Sequence, residues 1–301
     1  MKTNELQQIA EGLIETTEKA GKKSIELYEK GLKIITKPDN SPVSNGDLEV
    51  NKIITEKIKK LTPNIPIISE ETVDLTKKNT FKTFWLIDPI DGTREYISGQ
   101  DEYTTNAALV LDCEPIIGLV GAPKKNRLFY SYGRNNSYMI ESGKLSKLNC
   151  EKKTTKGKVF AVSGASKPAS NILEVMKKYK VNSFTPMHSS YKFCVIATGE
   201  YDFYAARERA REWDYAAGHA VATGAGAIIT TLENEPFKYG KEDFKNPTIL
   251  IRRSRDLNVW NYCYNSYFSF NIWFGPICIC KKFDEEKNWI LFKIKWKKEK
   301  N

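Results

Sequence analysis

Apolar side chains recur at helical spacing through the first part of this chain. Leu6, Ile9, Leu13 and Ile14 share one face, Leu27 and Tyr28 continue it, and the pattern predicts one long amphipathic helix over residues 4–30. Residues 38–46 (PDNSPVSNG) are rich in turn formers. Ser44 and Asp47 then make the S-x-x-D pattern of a helix start, and Val50, Ile53, Ile54, Ile58 and Leu61 follow as a second stripe. Short apolar runs come next. PNIPIIS leads into a strand that ends at Glu70, and FWLI (84–87) is another that Asp88-Pro89 terminates. Residues 104–111, 115–120, 127–131 and 137–140 read as successive antiparallel strands joined by short turns. From Gly157 the pattern mixes strands at 158–162, 201–205, 227–230 and 247–251 with helices at 169–179, 189–198 and 213–223. The succession predicts layered helices and sheets, strand-rich to about residue 155 and mixed from 156 to 251.

Composition narrows the class. With 301 residues and 41% hydrophobic positions the chain can bury an ample core, and it is neither low-complexity nor disordered in character. No apolar run reaches the roughly 18 residues of a membrane span, and residues 1–10 lack the apolar core of a secretory signal. Six scattered cysteines suit a reducing compartment, so a cytoplasmic location is expected. The net charge of +10 is unevenly placed: from Arg252 onward 11 Lys and Arg face 5 Asp and Glu, which leaves +4 for the preceding 251 residues. So mild a balance gives no reason to expect a nucleic-acid polymer as partner. Four of six Trp also fall after Arg252, which marks residues 252–301 as an atypical tail.

The chemistry concentrates in acids. Asp88-Pro89-Ile90-Asp91-Gly92-Thr93 places two carboxylates three residues apart at the carboxyl end of an apolar strand, where open sheets usually bind ligands. Gly92 lets the backbone approach a ligand, and the amides beyond it could meet a phosphate. An oxygen-rich site of this kind suits a hard divalent cation that shares its shell with phosphate. Glu70 and Glu71 end the preceding strand, Asp47 opens a helix and Asp214 lies at the start of another. Each taken singly reads as a helix cap or a solvated strand end.

Together, ISEE, WLIDPIDGTREY and REWDYAAGHAVATGAGA resemble the motifs of the inositol monophosphatase superfamily of Mg²⁺-dependent, lithium-sensitive phosphatases, over roughly residues 5–251. GTREY, SSYKFCVIATGEYDFY and KEDFKNPTIL are most similar to its 3'(2'),5'-bisphosphate nucleotidase branch. The resemblance implies an α+β fold, a layered αβαβα sandwich, with residues 1–251 as the phosphatase domain. It implies that Glu70, Asp88 and the carbonyl of Ile90 hold one Mg²⁺, and that Asp88, Asp91 and Asp214 hold a second. Some members of the family bind a third ion near Glu70. It further implies that Thr93 and Asp47 pair to orient or deprotonate the attacking water, with Glu70 as another acceptor, and that the Gly92 and Thr93 amides bind phosphate. Ser190 and Lys192 would contact a second phosphate of the substrate.

The small phosphorylated substrate expected on this reading is a nucleotide bisphosphate. An inositol or sugar phosphate, and a non-catalytic binding role, are the alternatives. Any of Arg207, Arg209 and Arg211 could reach substrate. Gly164 and Ala165 stand where the branch carries larger polar residues, a departure from its pattern. In the tail, KNWILFKIKWKKEK alternates apolar residues and Lys like an amphipathic strand, and Trp, Phe and Lys together would suit peripheral contact with the inner face of a membrane. The aromatic stretch from 258 lacks a clear period, which favours an extension without selected structure.

Overall fold

The helix breaks at Gly12 and Leu13, and two helices, α1 (Thr3–Glu11) and α2 (Ile14–Glu29), stand where the periodicity predicts one. Leu6, Ile9 and Leu13 belong to one core cluster, so the break leaves no mark on the apolar pattern. The computed structural model describes residues 1–37, 40–152, 157–257, 273–274, 277–283 and 289–295. A short antiparallel hairpin follows α2, formed by β1 (Ile34–Thr36) and β2 (Pro42–Ser44). Ser44 caps α3 (Asn45–Leu61): its Oγ accepts from the Gly46 N–H at 3.1 Å, and Asp47 accepts from the Ser44 N–H at 2.8 Å. Two otherwise orphaned amides are thereby satisfied, as the S-x-x-D pattern predicts.

Seven strands build the first sheet: β3 (Ile67–Ser69), β4 (Phe84–Asp91), β5 (Thr104–Leu111), β6 (Glu114–Ala122), β7 (Arg127–Tyr132), β8 (Ser137–Glu141) and β9 (Lys144–Lys147). They lie in chain order, parallel between β3 and β4 and antiparallel from there on. A short helix, α4 (Thr93–Ile97), joins β4 to β5. The mixed part supplies β10 (Val159–Ser163), α5 (Ser170–Lys178), β11 (Val181–Pro186), α6 (Tyr191–Ala197), β12 (Phe203–Ala206), α7 (Glu212–Gly224), β13 (Ile228–Thr230) and β14 (Ile249–Arg252). Its five strands run in the order β11-β10-β12-β14-β13. Strands β9 and β11 have no counterpart in the apolar pattern, because both lie at sheet edges and bury little.

Both faces of the seven-stranded sheet are covered, which is why β4 and β5 read as continuous apolar runs. Along β4, Trp85 and Ile87 join Val50, Ile54 and Ile58 of α3, while Phe84 and Leu86 join Phe193 of α6 and Val221 of α7. The second sheet adds Ile249 and Ile251 to that latter core, and α5 packs against its strands β11 and β12. The layers therefore run helices, sheet, helices, sheet, helix, the αβαβα sandwich expected. Among the described residues no helix is long and apolar enough to cross a membrane.

The chain divides into two compact units, Met1–Arg255 and Asp256–Asn301. In the first, Arg253 is buried and pairs with the buried Asp202, so this unit runs past the boundary expected near residue 251. The described residues of the second are β15 (Trp273–Phe274), β16 (Ile277–Phe283) and β17 (Trp289–Lys295), an antiparallel sheet in that order. Within the alternating segment, Trp289–Lys295 thus forms a strand. Strands β15 and β16 stand where the pattern favoured no structure, and residues 258–272 lie outside the described ones.

Candidate active site

The strand carrying the two central aspartates does not stop at Asp88. It continues to Asp91 with an irregularity: Asp88 lies opposite Asn106, and Asp91 lies opposite Thr104, three steps on β4 against two on β5. Regular alternation would send Asp88 and Asp91 to opposite faces. The extra residue turns Ile90 into the core of Trp85 and Ile87 and returns Asp91 to the face of Asp88. Pro89, which has no N–H to donate, suits the disrupted place.

Three elements bring acids to that face. Glu70 follows β3, which pairs with β4, and its N–H donates to the Ile87 carbonyl at 3.1 Å. Asp214 sits in the first turn of α7, where it accepts from the Arg211 N–H at 2.8 Å and gains from the helix dipole. Carboxylate oxygens of Glu70, Asp88 and Asp214 lie within 4.8 Å of one another. Asp91 is not one of these three; it accepts from the Ser190 amide and feels the charge of Lys192 and of Glu70. Burial, reinforced by Glu70, Asp91 and Asp214, drives the Asp88 carboxyl well above its ordinary range. Burial likewise raises Asp214, with Asp91 and Glu70 adding to it, and raises Asp91 to about 6 against the pull of Lys192. Asp88 Oδ1 is buried and has no hydrogen-bond partner among the described residues. Crowded carboxylates with an unpartnered buried oxygen are costly without a counter-ion, and an all-oxygen donor set suits a hard divalent cation. The residues fit a metal.

Asp47 and Thr93 approach from the α3 and α4 starts. Asp47 Oδ2 accepts from Ser44 N–H and Oγ, and its Oδ1 accepts from Thr93 Oγ1 at 3.1 Å. The Ile90 carbonyl lies 3.1 Å from the same hydroxyl. Close packing of the two helix starts makes this possible: a Cβ on Gly46 would stand 2.5 Å from the Tyr96 hydroxyl. Gly92 takes φ 93°, a left-handed turn that releases the chain from β4 into α4.

The basic side is built by α6 and the approach to α7. Lys192 is buried, and burial lowers its pKa although Asp91 opposes the shift. The Ser190 hydroxyl is engaged within the protein, donating to Asn106 Oδ1 at 2.6 Å and lying 2.9 Å from Thr104 Oγ1. Among the three candidate arginines, Arg209 acts on Lys192, Tyr204 and Tyr215, whereas the Arg211 guanidinium donates to the Asp243 carbonyl. His188 pairs with Glu95 at 3.1 Å, and its amide donates to Glu102. His219 lies in the core, bonded to the Tyr239 hydroxyl, and burial lowers its pKa to about 3.

Sequence reasoning named Glu71 only as a strand end and missed Lys37. Lys37 reaches from the β1–β2 hairpin to Glu70 at 3.0 Å and to Glu71 at 2.9 Å, and burial raises Glu71 to about 7. Only the turn-rich stretch around Lys37 hinted at this, because the pairing spans 33 residues.

A layered αβαβα sandwich with buried and half-buried carboxylates gathered on the inner face of its larger sheet is the architecture of a metal-dependent phosphatase. Residues 5–257 match the inositol monophosphatase family, and the chain belongs to it. It is 30% identical over 262 residues to a 3'(2'),5'-bisphosphate nucleotidase CysQ of Aggregatibacter actinomycetemcomitans, covering 86% of this chain and 97% of that protein. It is 32% identical over 232 residues to the CysQ of Escherichia coli K12, covering 76% and 93%. The solved structure of CysQ from Bacteroides thetaiotaomicron is similar at a TM-score of 0.65 and 29% identity, with 81% and 96% of the two chains covered.

Proposed function

We propose that this phosphatase is a 3'(2'),5'-bisphosphate nucleotidase, which converts adenosine 3',5'-bisphosphate and water to AMP and phosphate. The observation that carries the reading is the pairing of an acid cluster with a separate basic side, Lys192 and Arg209, within one site. A substrate with two phosphates needs both: one phosphoester over the acids and a second anion on the cations. The nucleotidases named above support the choice.

Glu70, Asp88 and the Ile90 carbonyl would hold one Mg²⁺, and Asp88, Asp91 and Asp214 a second. Lys37 already balances Glu70 and Glu71, which argues for two ions over three. Bound Mg²⁺ supplies Lewis acidity, withdrawing charge from the phosphoryl oxygens and acidifying water. The protein's own part is placement. Thr93 donates to Asp47, which leaves its lone pairs free to accept from the attacking water, and Asp47 or Glu70 takes the proton. The water oxygen bonds to phosphorus as the bond to the ester oxygen breaks, and that oxygen takes a proton from a second water to leave as the hydroxyl of AMP. The Gly92 and Thr93 amides would hold the phosphoryl oxygens. Lys192 grips the second phosphate, with Arg209 beside it, and Ser190 serves by fixing Asp91 through its amide.

Phosphate release from a panel of monoesters in Mg²⁺ tests this reading. Adenosine 3',5'-bisphosphate should be turned over faster than inositol 1-phosphate. The reverse order would overturn the choice of substrate, and no release from any ester would overturn the enzyme reading.

A further inference from the structure

Glu212 stands two positions before Asp214, and its side chain is wholly buried. A buried carboxylate is costly unless fully bonded. Here it accepts from the Gly240 N–H at 2.9 Å, the Lys241 N–H at 3.0 Å and the Lys241 ammonium at 2.6 Å. The Glu212 N–H donates to the Phe244 carbonyl at 2.8 Å, and Asn246 donates to the Arg211 carbonyl at 2.6 Å. About two turns along α7, His219 meets Tyr239 at 3.0 Å. The segment from Tyr239 to Asn246 is therefore fastened along the start of α7.

The same segment is tied to the sheet that carries Asp88. The Tyr239 N–H donates to the Cys113 carbonyl in the β5–β6 turn at 3.0 Å, and the Asn79 N–H, just ahead of β4, donates to the Glu242 carbonyl at 2.9 Å. Hydrogen bonds thus run from the first turn of α7 through Glu212 to the loop that leads into β4 and to the β5–β6 turn. Asp214 rides on one end of this brace, and the other end is fastened beside Phe84, at the start of the strand whose far end carries Asp88.

We propose that Glu212 is a positioning residue that, with Lys241, sets Asp214 against Asp88 and so sets the affinity of the site for its cations. The inference rests on the reading of Asp214 as a metal ligand. A carboxylate cluster repels itself, and without the brace the start of α7 is free to relax away from β4. The effect should therefore fall on metal binding rather than on the substrate.

The test uses the full chain and Mn²⁺ as probe, read by the electron paramagnetic resonance of the free ion. Circular dichroism checks folding, and steady-state kinetics give the Mg²⁺ activation constant and KM. Glu212→Ala should weaken Mn²⁺ binding by about tenfold or more and raise the Mg²⁺ activation constant in step. KM at saturating Mg²⁺ should stay within about twofold of wild type, because the lost interaction serves the ion. Glu212→Gln, which keeps one acceptor, should fall between, and it carries the test if the alanine variant does not fold. Wild-type Mn²⁺ affinity in a folded Glu212 variant overturns the proposal, as does a KM defect that added Mg²⁺ does not repair. Asp214→Asn separates the two levels. If it binds Mn²⁺ like wild type, the ligand reading fails; if it loses Mn²⁺ while Glu212→Ala does not, only the brace fails.

Discussion

Asp47 and Thr93, 46 residues apart in the chain, are joined by a hydroxyl-to-carboxylate hydrogen bond of 3.1 Å between the first turns of two helices. The bond aims the Thr93 hydroxyl and lends it basicity. Thr93→Val keeps the shape and removes the relay. The expected result is a fall in kcat of about a hundredfold or more with Mn²⁺ binding retained, measured by steady-state kinetics beside a metal titration. An unchanged kcat would remove the pair from the mechanism.

Asp91 accepts from the Ser190 amide, so an amide in its place can keep that bond. Asp91→Asn should fold, as judged by circular dichroism, yet lose activity on the order of a hundredfold, since even the partners of metal ligands cost that much. Activity equal to wild type would exclude Asp91 from the metal set.

Charge crowding should make the chelated protein sensitive to pH. Burial and like-charge neighbours raise Asp88, Asp91 and Asp214 in the fold, Asp91 to about 6, from an ordinary 3.8. Between those values the folded chain binds more protons than the unfolded one, so stability in EDTA should fall as pH rises from 4 through 6. Mg²⁺ should flatten that slope. Asp88→Asn removes the charge and should raise the melting temperature in EDTA by about 2 °C or more while abolishing activity. A melting curve in EDTA that is flat from pH 4 to 7 would count against the cluster.

Arg209 is the arginine whose charge is felt at Lys192. Arg209→Ala should lower kcat/KM for adenosine 3',5'-bisphosphate by about tenfold or more, the worth of a hydrogen bond to a charged group. A monoester without the second phosphate should be hydrolysed as by wild type. Equal losses on both would show that Arg209 does not read the second phosphate.

Arg253 pairs with Asp202 inside the first unit, and the Asp202 carboxylate also accepts from the Phe160 N–H at 2.8 Å. Removing one partner of a buried pair costs about 3–5 kcal/mol. A chain ending at Leu257 should therefore keep its phosphatase activity, and one ending at Arg252 should unfold at far lower urea. Loss of activity in the longer of the two would make the terminal unit part of the enzyme.

Much of this architecture was legible along the chain. The capping box at Ser44 and Asp47 is local, involving neighbours three residues apart, so the pattern alone located the start of α3. Strands β5 to β8 were equally readable, because hairpin partners are close in sequence and their burial is continuous. The break at Gly12 was invisible, since both helices turn their apolar side chains into one core. The end of β4 was misread for a different reason: Pro89 signals a stop, and only pairing with β5 carries the strand on to Asp91.

Residue type and local order determined that this chain would form layers of helix and sheet and would carry acids at the ends of its elements. Those features depend on interactions among near neighbours, which a linear pattern records. Which face Asp91 takes, that Lys37 reaches Glu70, and that Glu212 rather than a surface acid fastens α7 were decided by the tertiary structure. Each depends on a contact between distant segments, whose distance and burial exist only once the two sheets and the helices between them have packed.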